Sequence, residues 1–302
     1  MIMSAAALAP LPGPPSLLGE SPFWHPADNA LYWCDIPGRR LECWHAADDR
    51  REGWPLSSEP GCCMPLLGGG LVLAQRDGLW RFEPATGQRR RLAEAPYDPT
   101  QQRFNDGKAD PLGRLWIGTI HEPRDRPAAH LYRYAAGRLD AVAGGVTTAN
   151  GLAFSPDART LYWSDTPAHT VYAFDFDVAA GEIAQRRVFA RFAPRTPEQP
   201  LDDYGGRPDG AAVDAEGCLW IAMYEGARLL RLDPQGAIVG ELPLPVRCPT
   251  MPCFGGADLR TLFITTACHN RPAAERARQP DAGAVLRYRV DVPGLPVHFA
   301  RD

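Results

Sequence analysis

Arg103-Phe104-Asn105-Asp106-Gly107-Lys108-Ala109-Asp110, followed by the apolar triplet Leu115-Trp116-Ile117, is one copy of a pattern that recurs along the chain. Each copy sets a polar residue beside Gly or Pro, then an acidic turn, then a short apolar strand. Glu20-Ser21-Pro22 runs on to Asp28-Asn29 and Leu31-Tyr32-Trp33. Asn150-Gly151-Leu152 runs on to Asp157 and Leu161-Tyr162-Trp163, and Asp209-Gly210 to Asp214, Gly217 and Leu219-Trp220-Ile221. The strand is kept while the polar position varies among Glu, Asn, Asn and Asp. Such a repeat suits a radial array that points oxygen atoms at one centre.

Leu71-Val72-Leu73 and Leu262-Phe263-Ile264 bring the apolar cores to six. They recur every roughly 40 to 46 residues, with one longer interval, which is the period of propeller blades of about four strands. A second, alternating strand follows most cores, as in Leu79-Trp80-Arg81-Phe82 and His130-Leu131-Tyr132-Arg133-Tyr134. Turn signals then appear at Pro84-Ala85-Thr86-Gly87, Ala136-Gly137 and Pro234-Gln235-Gly236. Third strands such as Arg187-Val188-Phe189-Ala190 close each unit. The pattern predicts an all-β, six-bladed propeller forming a single domain over residues 1–302. The N-terminal segment is expected to close the ring beside a last strand at Pro296–Ala300, which removes an exposed edge. Arg271–Arg278 contains Pro272 and reads as an insertion loop. The Pro-rich stretch Arg195–Tyr204, in the longer interval, reads as a loop on the face where ligand enters.

The chain has 302 residues and a formal charge of −4, so neither a basic nucleic-acid binder nor an acidic tail protein is expected. No apolar run reaches the length of a membrane span. Met1–Leu18 is apolar, lacks Lys and Arg, and is broken by Pro10, Pro12, Pro14 and Pro15, so it reads as mature protein rather than a secretory signal. The eight cysteines include no zinc-type C-x-x-C pair and read as reduced, mostly buried thiols of a cytoplasmic protein.

Six segments, in this order and spacing, resemble the SMP-30/gluconolactonase/regucalcin family from about Leu18 to the end. They are Gly19-Glu20-Ser21-Pro22, Arg103–Lys108, Gly118-Thr119, Asn150-Gly151-Leu152, Pro208-Asp209-Gly210 with Asp214-Ala215-Glu216-Gly217, and Cys253-Phe254-Gly255-Gly256. The resemblance implies a six-bladed propeller with one divalent metal in the central channel and activity on sugar-acid lactones, such as a glucono-, xylono- or arabinonolactone. It implies that Glu20, Asn150 and Asp209 ligate the metal and that Arg103 and Asn105 face the substrate. One departure stands out. Members close to the vertebrate protein carry two adjacent acids soon after the Gly-Thr pair. Here Ile120-His121-Glu122-Pro123 follows, so Pro123 occupies the place of the second acid, and Glu122 or His121 is the candidate substitute.

Two carboxylates and a carboxamide form an oxygen donor set, suited to Ca²⁺, Mg²⁺ or Mn²⁺, with Zn²⁺ and Fe²⁺ also considered. A lactone carbonyl polarised by the ion would be attacked by water, with Asp209 as the favoured general base and Glu20 as the alternative. Taken singly, Asn105, Asn150 and Asp209 are also good turn residues. Asp106, Asp110, Asp157 and Asp214 are assigned to turns. Trp33, Trp80, Trp116, Trp163 and Trp220 read as core between blades, Cys253 as buried packing, and Cys62-Cys63 as free thiols near the channel. The expected partner is a small-molecule sugar lactone, with no nucleic acid and no membrane, and the expected state is a monomer. Two alternatives are kept: a calcium-binding regulatory propeller without lactonase activity, and a related propeller esterase.

Overall fold

Six four-stranded antiparallel sheets follow one another around a ring, and the computed structural model describes them over residues 2–4 and 8–302. Met1 and residues 5–7, part of the stretch read as mature N-terminus, lie outside the described residues. The innermost strands of blades 1 to 6 are Gly19–His25, Pro60–Pro65, Gln102–Ala109, Ala149–Phe154, Arg207–Val213 and Pro249–Gly255. Each polar residue of the repeat lies on one of these. The apolar triplets form the second strands, for example Ala30–Asp35 and Leu219–Tyr224.

Alternation explains why the blades pack. Residues at every second position face one neighbouring blade and the intervening ones face the other. The apolar side chains therefore gather in six wedges, one per blade interface, rather than in one central core. Trp116, Leu131, Leu152 and Phe154 fill the wedge between blades 3 and 4, and Leu31, Trp33 and Phe263 that between blades 6 and 1. This arrangement leaves the axis free for polar groups. Trp33, Trp116, Trp163 and Trp220 are buried as expected, whereas Trp80 is half-buried, with the Arg91 guanidinium 4.5 Å from its ring centroid. Asp110 and Asp214 each hold a turn and a tryptophan together. Asp214 accepts from the backbone N–H groups of Glu216 and Cys218 (both 3.0 Å) and from Trp220 Nε1 (2.8 Å). Asp110 does the same for Leu112, Arg114 and Trp116.

The N-terminal segment closes the ring. Ala9–Pro10 pairs antiparallel with Leu286–Arg289 as the outermost strand of blade 6, and Leu18 bridges to Ala267 before the chain enters blade 1. The expected strand at Pro296–Ala300 does not form. Residues 295–299 instead run as a strap across the end of the ring. It is pinned at Gly294, which bonds Leu259, and at Ala300, which bonds Pro65 (both 2.8 Å). Blade 6 is already filled by the N-terminal strand, so the tail has no edge left to join. The segment read as an insertion loop contains a short helix, Ala273–Arg278, starting directly after Pro272. No helix among the described residues is long and apolar enough to cross a membrane.

Candidate functional site

All six innermost strands start at the same end of the channel, and a local irregularity near that end aims their side chains at the axis. Pairing with the second strand slips between Glu20 and Phe23, Phe104 and Gly107, Asn150 and Ala153, and Pro208 and Ala211. A bulge inserts unpaired residues and re-aims side chains that strict alternation would send into a wedge. The backbone conformation is unusual here. Ser21 and Gly151, each following a polar residue of the repeat, have φ of 50° and 57°. At Gly151 a Cβ would clash with Ser164 Oγ and sit 2.9 Å from the Asp209 carbonyl oxygen, which accounts for glycine.

A continuous run of hydrogen bonds crosses three blades. Arg103 Nη1 donates to Asn105 Oδ1 (2.7 Å) and to the Phe104 carbonyl (2.9 Å). Asn105 Nδ2 donates to Asn150 Oδ1 (2.7 Å) and to the Ala149 carbonyl (2.9 Å). Asn150 Nδ2 donates to Asp209 Oδ1 (2.6 Å) and to Thr166 Oγ1 (2.9 Å). Thr166 in turn donates to the Pro208 carbonyl at 2.8 Å. Glu20, from blade 1, adds a second carboxylate, whose single hydrogen bond among the described residues comes from the Ser21 N–H at 3.3 Å. All five side chains are buried.

Neither Glu20 nor Asp209 has an ion-pair partner among the described residues. Burial, reinforced by the charges of Asp209 and Asp106, raises the Glu20 carboxyl well above the usual carboxylate range. Burial likewise pushes Asp209 up to about 8, with Asp106 adding to the rise and Arg207 opposing it. Two buried carboxylates that resist ionisation beside a carboxamide are a donor set short of positive charge, which fits a hard dication. Asn150 now turns Nδ2 toward Asp209, so rotation of its amide would present the oxygen as the third donor.

The remaining candidates divide. Glu122 reaches the site: it accepts two bonds from Arg76 (2.8 and 3.0 Å) and lies 3.6 Å from Arg103 Nε. His121 is buried, with Nε2 2.6 Å from Asp125, and has no bond to Arg103 or Asn105. Of the residues assigned to turns, Asp106 requires correction. It lies within an innermost strand, buried, accepting the Leu152 N–H at 2.7 Å through Oδ2 while Oδ1 has no hydrogen-bond partner. Asp110 already supplies the turn, so Asp106 was surplus to it, and that surplus was the available signal. The thiols are free; Cys62, Cys63 and Cys253 are buried, and burial pushes Cys253 up to about 12. Away from the channel, Cys43, His45 and Glu52 on outer strands of blade 1 bring three metal-capable atoms within 4.8 Å of one another, with His45 Nε2 engaged by Glu52 at 2.6 Å.

Residues 18–268 match the family described as SMP-30/Gluconolactonase/LRE-like region. A 6-deoxy-6-sulfogluconolactonase of Pseudomonas putida is 43% identical over 281 residues, 93% of this chain and 94% of that protein. A pentonolactonase of Haloferax volcanii is 33% identical, over 92% and 93% of the two chains. Among solved structures, a calcium-binding protein, regucalcin, from Agrobacterium tumefaciens superimposes with a TM-score of 0.92 at 27% identity, covering 100% of this chain and 99% of that one.

Proposed function

We propose that this chain, which belongs to the SMP-30/gluconolactonase family of sugar lactone hydrolases, opens a sugar-acid lactone to the aldonic acid with a divalent cation held by Glu20, Asn150 and Asp209. The observation that carries the reading is the unbroken Arg103–Asn105–Asn150–Asp209 run with Glu20 beside it: groups that suit a cation adjoin groups that suit hydroxyls. When bound, the ion would supply Lewis-acid polarisation of the carbonyl and a lowered pKa for water.

Asp209 is the proton acceptor in this reading. Oδ2, which has no hydrogen bond among the described residues, takes the proton of the attacking water. The water oxygen bonds to the carbonyl carbon, the ring C–O bond breaks, and the ring oxygen leaves as a hydroxyl after receiving that proton back from Asp209. Arg103 holds substrate oxygens with a planar fork of donors, and Asn105 both donates and accepts. Glu122 takes the place of the expected second acid, in contact with Arg103. Arg124 and Arg207 lie near enough to act on Asp209, and Arg124 forms no ion pair among the described residues. Spare positive charge there, with a relative named for a sulfonated gluconolactone, favours an aldonolactone bearing an anionic substituent.

The test is hydrolysis of glucono-, xylono- and arabinonolactone and 6-deoxy-6-sulfogluconolactone, with metal stripped and then restored. Acid release is followed in weak buffer against an enzyme-free blank. Metal-dependent turnover with preference for the anionic lactone is expected. Tight metal binding with no turnover on any lactone would overturn the enzyme reading in favour of a calcium-binding regulatory protein.

A further inference from the structure

The innermost strands carry a second constellation at their other ends. There the channel holds a recess of about 110 Å³, walled by residues from all six blades and by the C-terminal strap. Its lining is mainly apolar, with Trp24, Met64, Phe254 and Val297 prominent, and two ionisable side chains that bear nitrogen, Lys108 and His298, line it. Lys108 stands three residues beyond Asn105 on the same innermost strand, past the bulge and toward the opposite end of the channel from Glu20 and Asp209.

Neither nitrogen group is satisfied by protein. Among the described residues the Lys108 side chain makes no hydrogen bond or ion pair; burial lowers its pKa, while Asp106, itself held by the Leu152 N–H, and Glu20 act on it only at longer range. His298 likewise has no hydrogen bond among the described residues, and burial lowers its pKa, so at neutral pH it offers a neutral ring. Cys253, also on the wall, is a neutral thiol and no counter-ion. Lys108 is half-buried, so its ammonium is only partly hydrated at the recess and gains from an anion brought against it. An apolar recess with a few convergent polar groups is the usual form of a small-molecule site.

We propose that this recess binds a small monocarboxylate with an apolar body, its carboxylate on Lys108 and His298 and its hydrocarbon against Trp24, Met64, Phe254 and Val297. One ammonium and one neutral ring match one negative charge; a dianion such as phosphate would bring a charge that nothing on the wall compensates. A polyhydroxylated acid, including the lactonase product, would leave its hydroxyls unpaired against the apolar wall. The recess is smaller than the roughly 150 Å³ of a cavity that accepts benzene, so it suits at most a single ring, entering as the strap gives way. Access is through the strap: residues 295–299 have no regular secondary structure, Pro296 is exposed, and the anchors lie outside the segment.

Benzoate titrated calorimetrically into the intact protein tests this, with benzamide as the neutral isostere and gluconate as the polar acid. Benzoate is expected to bind about tenfold or more tighter than benzamide, since the charged pair is made in a largely apolar site, and gluconate is not expected to bind there. Lys108→Met should erase the preference for benzoate over benzamide. Val297→Trp fills the recess from the strap without touching Lys108 and should abolish binding of both. Equal affinity for benzoate and benzamide in the wild type would overturn the proposal. So would benzoate binding unchanged in Val297→Trp, or benzoate displaced by the divalent ion or by a lactone, which would place it at the other end of the channel. None of these outcomes bears on lactone hydrolysis, so the two readings fail separately.

Discussion

Removing the charge of Asp209 should stabilise the metal-free protein while abolishing its stabilisation by metal. Asp209 rises from its ordinary value of 3.8 to about 8, chiefly through burial. A carboxyl raised on folding contributes stability that is fully present below the unfolded pKa and lost as pH rises through the folded pKa, here between about 4 and 8. The full rise corresponds to roughly 6 kcal/mol at most. Relaxation and water entry in a channel open to solvent reduce the working figure to about 2–3 kcal/mol. For a chain of this length that is about 4–6 °C in Tm. Scanning calorimetry at pH 5 and pH 9, on protein stripped with chelator, should therefore show a Tm difference between the two pH values that is smaller by this amount in Asp209→Asn. At saturating Ca²⁺ or Mn²⁺, about a hundred times Kd, the wild type should regain about 2.7 kcal/mol and the variant little. Identical pH dependence in wild type and variant, together with an identical metal-induced shift, would refute both the charge shortage and the ligand assignment.

Arg103→Ala should retain metal by calorimetry yet lose about 1.5–3 kcal/mol in kcat/KM on whichever lactone the wild type cleaves, because a charged hydrogen bond to substrate is removed; full activity would place the substrate elsewhere. Deleting residues 1–11 strips the outermost strand from blade 6 and removes buried Leu11, so Tm should fall, and an unchanged melt would deny closure by this segment. Gly151→Ala must adopt φ 57° against Ser164 and the Asp209 carbonyl, so it should weaken metal binding and lower stability by more than about 1 kcal/mol, measured by urea titration with and without metal. Asp106→Asn should leave stability nearly unchanged but alter metal affinity, whereas a turn residue would do the opposite.

The period of the apolar triplets made the six blades legible, because each triplet must sit in a second strand with a wedge on either side. The tail was not legible. Pro296-Val297-His298-Phe299-Ala300 has the alternation of a strand, and only the prior occupation of blade 6 by Ala9–Pro10 sends it across the ring instead. The helix Ala273–Arg278 was missed because Pro272 was read as a breaker, although proline is tolerated just ahead of a helix. Its buried Glu275 is held by Arg271, four residues before it, and by Arg247, a partner remote in sequence that no local pattern reveals. At the site, Glu20, Arg103, Asn105, Asn150 and Asp209 could be named from the repeat and the resemblance, and the structure brings them together. The mutual bonding of Asn105 and Asn150 depends on bulges in two strands, which sequence does not locate.

The separation of charge along the channel follows from the same strand geometry. A bulge at the start of a strand turns Asn105 toward one end, and the regular spacing that follows carries Asp106 and then Lys108 away from it. Three buried carboxylates, Glu20, Asp209 and Asp106, thus share the channel with buried Arg103 and half-buried Lys108, with no ion pair within 4 Å joining the two sets among the described residues. A dication at the Glu20 end would supply positive charge where a carbonyl oxygen gains negative charge during hydrolysis. Lys108, half-buried further along the strand, does not substitute for the ion. The same strand that positions Asn105 for a lactone therefore positions Lys108 for an anion, and the two ends of one channel are suited to different ligands.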